Sequence, residues 1–117
     1  MKVELPSRIT EKDFTNTVIQ LAQLCGWKAA HFRTGRTASG GWMTPVQGDG
    51  KGFPDLVLAK EGKPVIYAEL KVGKNKLSPE QREWNELLSK CLGARVYVWY
   101  PSDWHEIEHF LTEKGGI

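Results

Sequence analysis

The sequence predicts an α/β domain with a central mixed sheet flanked by helices. Two apolar runs, residues 55–60 and 64–72, are separated by the tripeptide EGK, which is typical of an antiparallel hairpin. Residues 65–100 then alternate strand, helix and strand, and such a βαβ unit makes its two strands parallel. The chain has 117 residues, enough for one hydrophobic core, so we expect a single domain over 1–117.

Before the hairpin, a helix is predicted from a cap at Thr10 to a stop at Gly26, because apolar residues recur at helical spacing between them. The segment WKAAHFR is short and rich in aromatic residues, which is typical of a strand. Residues 34–52 follow, with six glycines and no periodicity. Connections longer than about 15 residues tend to be functional, so we interpret this one as a substrate-facing flap.

After the hairpin, the segment LSPEQREW carries the signals of a helix start. Ser78 is the predicted N-cap, Pro79 fits the first helical position, Gln81 completes a capping box, and Gly93 ends the helix. The predicted core face of this helix consists of Trp84, Leu87, Leu88, Cys91 and Leu92. The strand ARVYVWY and a short helix at 104–114 complete the fold.

Composition excludes several classes of protein. Apolar residues make up 40% of the chain, and no apolar run approaches the roughly 18 residues of a membrane span. The first residues, MKVELPSRIT, lack the apolar core of a secretion signal, so we expect a cytoplasmic protein. The two cysteines, Cys25 and Cys91, fall at apolar positions of predicted helices and do not indicate a metal cluster.

Positive charge is concentrated in the middle of the chain. Residues 28–76 hold nine Lys or Arg against four Asp or Glu, a net +5, whereas the remaining residues sum to −3. This distribution suits a polyanion that meets one face of the protein. A merely soluble surface explains the charge alone equally well.

Charged residues interrupt the otherwise apolar strand VIYAELKVG. Side chains alternate along a strand, so Glu69 and Lys71 share one face. A hairpin centred on Gly62 places Asp55 opposite Glu69, with Cβ atoms roughly 5 Å apart, because both residues are equidistant from the turn. A register shift of one residue would move Asp55 to the other face.

Two carboxylates this close favour a divalent cation between them, since otherwise one takes up a proton. Mg²⁺ prefers oxygen ligands and is typically held by one or two carboxylates together with substrate phosphate. Lys71 would then orient or deprotonate a water that attacks phosphorus. Taken alone, the E-x-K pattern also fits a surface hairpin with a cross-strand ion pair.

Glu11 and Gln81 each have two interpretations. Glu11 precedes Phe14 and Val18 by three and seven residues, on the predicted inward-facing stripe of the first helix. There it would hold a metal through a water, or simply stabilise the helix N-terminus. Gln81 is fully explained by the capping box without any chemistry.

The motifs GFPD, YAELKVG and LSPEQREW resemble the VRR-NUC family of virus-type replication-repair nucleases, within the PD-(D/E)xK superfamily. The resemblance implies a restriction-endonuclease-like core and a DNA endonuclease that depends on Mg²⁺ or Mn²⁺. It assigns metal ligation to Asp55 and Glu69, catalysis to Lys71, and supporting roles to Glu11, as a further metal-associated acid, and to Gln81.

Small members of this family resemble homodimeric resolvases of branched DNA, such as Holliday junctions, forks or flaps. The resemblance therefore implies a homodimer with two active sites, a role in DNA repair, and a phage-encoded protein that acts in the host cytoplasm. A module of the same fold that binds DNA structure without cutting it is the alternative.

Basic and aromatic residues flank the predicted site. Five residues are predicted to neutralise DNA phosphates: Arg33, Arg36, Lys51, Lys74 and Lys76. Trp42 would stack on an exposed base or serve in ordinary packing. His31 could approach the site from its neighbouring strand, although a single histidine is more often structural.

The segment HEIEH, residues 105–109, matches the zinc-peptidase motif H-E-x-x-H. No distant third ligand follows it in the sequence. Ile107, Phe110 and Leu111 explain this helix as a cap on the core, so we favour the nuclease interpretation over a zinc peptidase.

Overall fold

The computed structural model describes residues 5–6, 8–32, 35–36, 42–43 and 48–113, with only the backbone described at 35–36 and 42–43. Its helices are α1 (Glu11–Leu24), α2 (Pro79–Ser89) and α3 (Trp104–Thr112), the last preceded by the 3-10 turn Pro101–Asp103. Its strands are β1 (Lys28–His31), β2 (Gly35–Arg36), β3 (Trp42–Met43), β4 (Leu56–Ala59), β5 (Val65–Leu70) and β6 (Ala94–Trp99).

The main sheet has the strand order β1-β4-β5-β6. β1 and β5 both run antiparallel to β4, and β6 runs parallel to β5. The predicted α/β class with a hairpin and a βαβ unit is therefore confirmed, and it is compatible with a restriction-endonuclease-like core. Leu56 pairs with Ala68, which confirms a hairpin centred on Gly62, and this glycine has a φ of +83° that suits a tight turn.

The helix starts follow the predicted capping signals. Thr10 Oγ1 accepts a hydrogen bond of 3.0 Å from the Asp13 N–H at the start of α1. At the start of α2, Ser78 and Gln81 form the complete reciprocal capping box. These local contacts define where each helix begins on the sheet.

The two faces of the sheet pack differently. One face buries β-strand residues against α1 and α3, in a core that includes Phe14, Val18, Leu56, Leu58, Ile66, Ala68, Leu70, Ile107 and Leu111. The other face carries Tyr67 and Glu69 toward α2. Phe53 meets both Tyr67 and Trp84 edge-to-face, so the three rings form a chain of contacts. The functional candidates lie on this second face.

The predicted core face of α2 is only partly correct. Leu88 is buried and Trp84 is half-buried, but three of the five predicted residues are exposed: Leu87, Cys91 and Leu92. The helix ends at Ser89, so Cys91 and Leu92 lie beyond it in a turn and do not continue its apolar stripe. The assignment of Cys91 to a helix was therefore wrong.

The predicted long loop at 34–52 contains a small two-stranded ribbon. β2 and β3 pair antiparallel, with Gly35 opposite Met43 and Arg36 opposite Trp42. Each of these strands has only two residues, which is too short to produce a recognisable periodicity in the sequence.

At the other end of the chain, α3 ends at Thr112, and Lys114 lies outside the described residues. Among the described helices, none is long and apolar enough to cross a membrane.

Candidate active site

The hairpin brings two carboxyl groups together. The pairing of Leu56 with Ala68 sets a register in which Asp55 and Glu69 are the next pair, on the face that α2 covers. The backbone N–H of Leu70 donates to Asp55 Oδ2 over 3.4 Å, which ties this carboxylate to the end of β5. The predicted juxtaposition of the two acids is thus present in the structure.

Glu69 is a fully buried carboxyl group, with 0% of its surface exposed. Burial raises the pKa of Glu69 to about 10, with further contributions from Asp55, both as hydrogen-bond partner and as negative charge. Glu69 Oε1 has no hydrogen-bond donor among the described residues. This oxygen is satisfied if the carboxyl is protonated and donates to Asp55, or if a cation takes the proton's place.

Gln81 connects the helix cap to the carboxyl pair. Its Oε1 accepts a hydrogen bond of 2.8 Å from the Ser78 N–H, and its Nε2 donates to Glu69 Oε2 over 3.2 Å. The capping box therefore holds the amide in the orientation that points its N–H group at Glu69. The two interpretations of Gln81 are compatible, because one side chain serves both contacts.

Lys71 and Glu11 act on the pair through their charges. The positive charge of Lys71 lowers the pKa of Glu69 in part, and the negative charge of Glu11 raises it further. Lys71 directly follows β5 and is half-buried, with its backbone N–H donating to Trp99 O over 2.9 Å. Glu11 is the first residue of α1 and is exposed, so it is not buried with Phe14, although its charge still reaches Glu69.

The donor set fits a hard divalent cation. In the described part of the chain, no group of three or more His, Cys, Asp and Glu side chains is arranged to hold a metal ion, so Glu11 does not complete a cluster with the carboxyl pair. Asp55 and Glu69 alone match the one or two carboxylates that Mg²⁺ takes alongside water and substrate phosphate. A cation bound between them would satisfy the buried oxygen of Glu69 and would lower the raised pKa of this residue.

The structure describes the predicted DNA-contacting residues to different extents. Lys51 is exposed beside the site and forms an ion pair of 3.9 Å with Glu80. Lys74 and Lys76 are exposed in the loop that follows Lys71. Arg36 and Trp42 have paired backbones in β2 and β3, whereas Arg33 lies outside the described residues.

The histidines are not part of the carboxyl site. His31 pairs with Leu56, whose side chain belongs to the core face, so strand alternation places His31 on the opposite face from Asp55 and Glu69. His105 and His109 are exposed on α3, and the described residues supply no three-ligand group around them. The zinc-peptidase interpretation gains no support.

Sequence reasoning missed a contact between the loop at 48–53 and α2. Trp84 Nε1 donates to the Asp49 carbonyl over 3.0 Å, and Gly52 lies directly against the backbone of Glu80. Trp84 was predicted only as a core residue. Its position three residues after Gln81, and hence on the same side of the helix, was the signal that could have revealed this role.

Comparison with known proteins gives a family. The family model described as the VRR-NUC domain matches residues 6–103, which is most of the chain. No curated protein and no solved structure gives a significant match. The matched range contains the carboxyl pair, Lys71 and Gln81.

Proposed function

The chain belongs to the VRR-NUC family of nuclease-type domains that act on DNA, and we propose that it is an endonuclease dependent on Mg²⁺ or Mn²⁺. The observation that carries the proposal is the buried carboxyl of Glu69, which has a neighbouring acid, an oxygen without a donor among the described residues and a pKa raised to about 10. A group in this state has little value in a purely structural role, because burial of an acid pair costs stability.

In this proposal, Asp55 and Glu69 hold the cation, and Glu11 assists through a water. When bound, the cation would lower the pKa of a coordinated water and would neutralise negative charge on the phosphate. Lys71 orients the attacking water and offsets charge that develops on the phosphoryl oxygens. Gln81 holds Glu69 through its Nε2 donor, so that the carboxylate keeps one orientation.

We propose branched DNA, such as Holliday junctions, forks or flaps, as the substrate, and a single domain that acts as a homodimer. The exposed residues Lys51, Lys74 and Lys76 support a surface for DNA phosphates, and Arg33, Arg36 and Trp42 complete the set that we assign to it. The family resemblance supports the paired active sites, the role in DNA repair, and a phage-encoded protein in the host cytoplasm.

The test is a cleavage assay on labelled fork, flap, four-way and linear duplex DNA, with Mg²⁺, Mn²⁺ or EDTA. We expect products from branched substrates only when metal is present, and a loss of at least about 100-fold in Lys71→Ala, since transition-state charge stabilisation of this kind is worth several kcal/mol. Arg95→Ala, at an exposed position of β6, is the matched control and should cleave normally.

Two results would contradict the proposal. Full activity in Lys71→Ala would remove the lysine from the mechanism. Tight, salt-sensitive binding to four-way DNA without products in any divalent metal would favour the alternative, a module that recognises DNA structure without cutting it.

A further inference from the structure

The segment that carries Asp55 is fastened to the helix that carries Gln81. We define the anchor loop as residues 48–53, which lead through the buried Pro54 into Asp55. This loop contacts α2 at Glu80 and Trp84, on either side of Gln81. Two parts of the chain that supply different site residues therefore touch each other outside the site.

Gly52 permits the closest of these contacts. It has a φ of +86°, and a Cβ atom at this position would lie 2.6 Å from the carbonyl carbon of Glu80 and 2.8 Å from the backbone nitrogen of Gln81. A side chain cannot approach backbone atoms this closely, so any larger residue must push the anchor loop and the first turn of α2 apart. The backbone nitrogen of Gln81 also donates to Ser78 Oγ over 3.2 Å, so such a shift would disturb the capping box.

Trp84 supplies the second contact. Its Nε1 donates to the Asp49 carbonyl over 3.0 Å, and its ring meets Phe53 edge-on with 5.0 Å between ring centroids. Phe53 in turn meets Tyr67 of β5, with 5.9 Å between centroids. The anchor loop is thus held between α2 and the strand that carries Glu69.

We propose that Gly52 and Trp84 are positioning residues, which fasten the anchor loop to α2 so that Asp55, Glu69 and Gln81 keep the spacing needed to hold the cation. This inference rests on the proposed function and extends it to two residues that touch neither metal nor substrate. The exposed ion pair between Lys51 and Glu80 adds little, because water screens it.

The test uses matched pairs of variants in the full chain. Gly52→Ala is compared with Gly62→Ala, because Gly62 has a similar φ of +83° but a Cβ atom added there would meet nothing within 4 Å. Trp84→Phe is compared with Trp27→Phe, because Trp27 Nε1 also donates to a backbone carbonyl, that of Leu111, over 3.1 Å on the other face of the sheet.

The first readout is binding of Mn²⁺ alone, measured by electron paramagnetic resonance. We expect Gly52→Ala to weaken binding by about 10-fold to 100-fold and Trp84→Phe by about 10-fold, the usual effect of removing support from a metal ligand. Gly62→Ala and Trp27→Phe should bind as the wild type does. Equal Mn²⁺ affinity in both members of each pair would overturn the proposal.

The second readout needs no metal. The Leu70 N–H donates to Asp55 Oδ2, so its hydrogen exchange reports the position of Asp55, and the Lys71 N–H, which donates to Trp99 O, is the internal control. Exchange at Leu70 alone should accelerate in Gly52→Ala and Trp84→Phe. If Gly52→Ala does not fold, the comparison of Trp84→Phe with Trp27→Phe tests the proposal.

The two readouts separate this inference from the proposed function. A wild type that neither binds Mn²⁺ nor cuts DNA would contradict the proposed function, while Leu70 exchange in the metal-free variants would still decide the positioning role. Unchanged exchange at Leu70 in Trp84→Phe, together with wild-type Mn²⁺ binding, would overturn the positioning role and leave the proposed nuclease activity intact.

Discussion

The two faces of the central sheet hold their helices by different means. On one face, α1 and α3 bury large apolar side chains completely, including Phe14, Ile107 and Leu111. On the other face, α2 buries only Leu88 among its own residues and is attached by the ring contact of Trp84 with Phe53, the hydrogen bond from Trp84 to the Asp49 carbonyl and the contact from Gln81 to Glu69. The first face is held by complete apolar burial, whereas the second combines aromatic contacts with hydrogen bonds to polar side chains.

This difference explains how the protein tolerates a buried acid pair. Burial of the Glu69 carboxyl is costly, because the group must take up a proton on folding at neutral pH, and a small protein has only about 5–15 kcal/mol of stability in total. The apolar face supplies the burial that offsets this cost, since ten of its core side chains among the described residues are essentially inaccessible to solvent: Phe14, Val18, Ala22, Leu56, Leu58, Ile66, Ala68, Leu70, Ile107 and Leu111.

The largest expected effect is a loss of stability when a leucine on the apolar face is truncated. Leu58→Ala should lower the free energy of unfolding by about 3–5 kcal/mol, because Leu58 is fully buried and its truncation leaves a cavity in the core. Leu88→Ala is the matched control on α2 and should lose about 2 kcal/mol, since Leu88 lies outside the core cluster and has 9% of its surface exposed. Urea unfolding measures both, and an equal or larger loss in Leu88→Ala would contradict the contrast between the faces.

The next effect comes from Glu69→Gln, which should change DNA cleavage and stability in opposite directions. Glu69→Gln should reduce DNA cleavage by at least about 100-fold, because loss of a metal ligand removes several kcal/mol of charge stabilisation. In EDTA at pH 8 the same variant should be more stable than the wild type by at least about 1 kcal/mol, since Glu69 must take up a proton on folding at this pH, whereas an amide N–H donates to Asp55 without one.

The control for Glu69→Gln is Glu83→Gln, at an exposed position of α2, which should change neither quantity. Cleavage is followed on four-way DNA and stability by thermal unfolding. If Glu69→Gln retains wild-type cleavage, Glu69 is not a metal ligand.

The third effect is a pH dependence that comes from Glu69. Its pKa is about 10 in the folded protein against 4.5 for an ordinary glutamate, so the folded state binds the proton more tightly than the unfolded state. The stabilisation from this proton is therefore complete below about pH 4.5 and is lost as the pH rises toward 10. Metal-free wild type should lose stability between pH 5 and pH 9 faster than Glu69→Gln, by at most about 1.4 kcal/mol per pH unit.

Thermal unfolding in EDTA across this pH range measures the difference between wild type and Glu69→Gln. Addition of Mg²⁺ should flatten the wild-type curve, because a cation replaces the proton between the two carboxylates. Parallel curves for the two proteins in EDTA would mean that Glu69 is already ionised without metal.

The sequence predicted correctly those features that depend on residues close together in the chain, namely the helix caps and the hairpin. The cap at Thr10, the capping box at Ser78 and the hairpin centred on Gly62 follow from side-chain donors and turn geometry within a few residues, and all three are confirmed. The hairpin register then placed Asp55 opposite Glu69, because alternation along paired strands is strict.

Contacts between distant segments were not predictable in this way. The approach of Gly52 to Glu80 depends on how the anchor loop crosses α2, and no local pattern encodes that crossing. Likewise, helical spacing identified Leu87 and Leu92 as core residues, yet burial depends on how far the sheet extends beneath the helix. Amphipathic spacing thus predicted the helix but not the length of its buried face.

The smallest expected effect tests these exposed leucines. Leu87→Ala and Leu92→Ala should each change the free energy of unfolding by less than about 0.5 kcal/mol, because both side chains are already in water in the isolated chain. Urea unfolding at several protein concentrations measures the change, with Leu58→Ala as the reference for a covered leucine. A loss of more than about 1 kcal/mol that grows with protein concentration would mean that a second copy covers this end of α2, because only a covered apolar side chain loses burial when it is truncated.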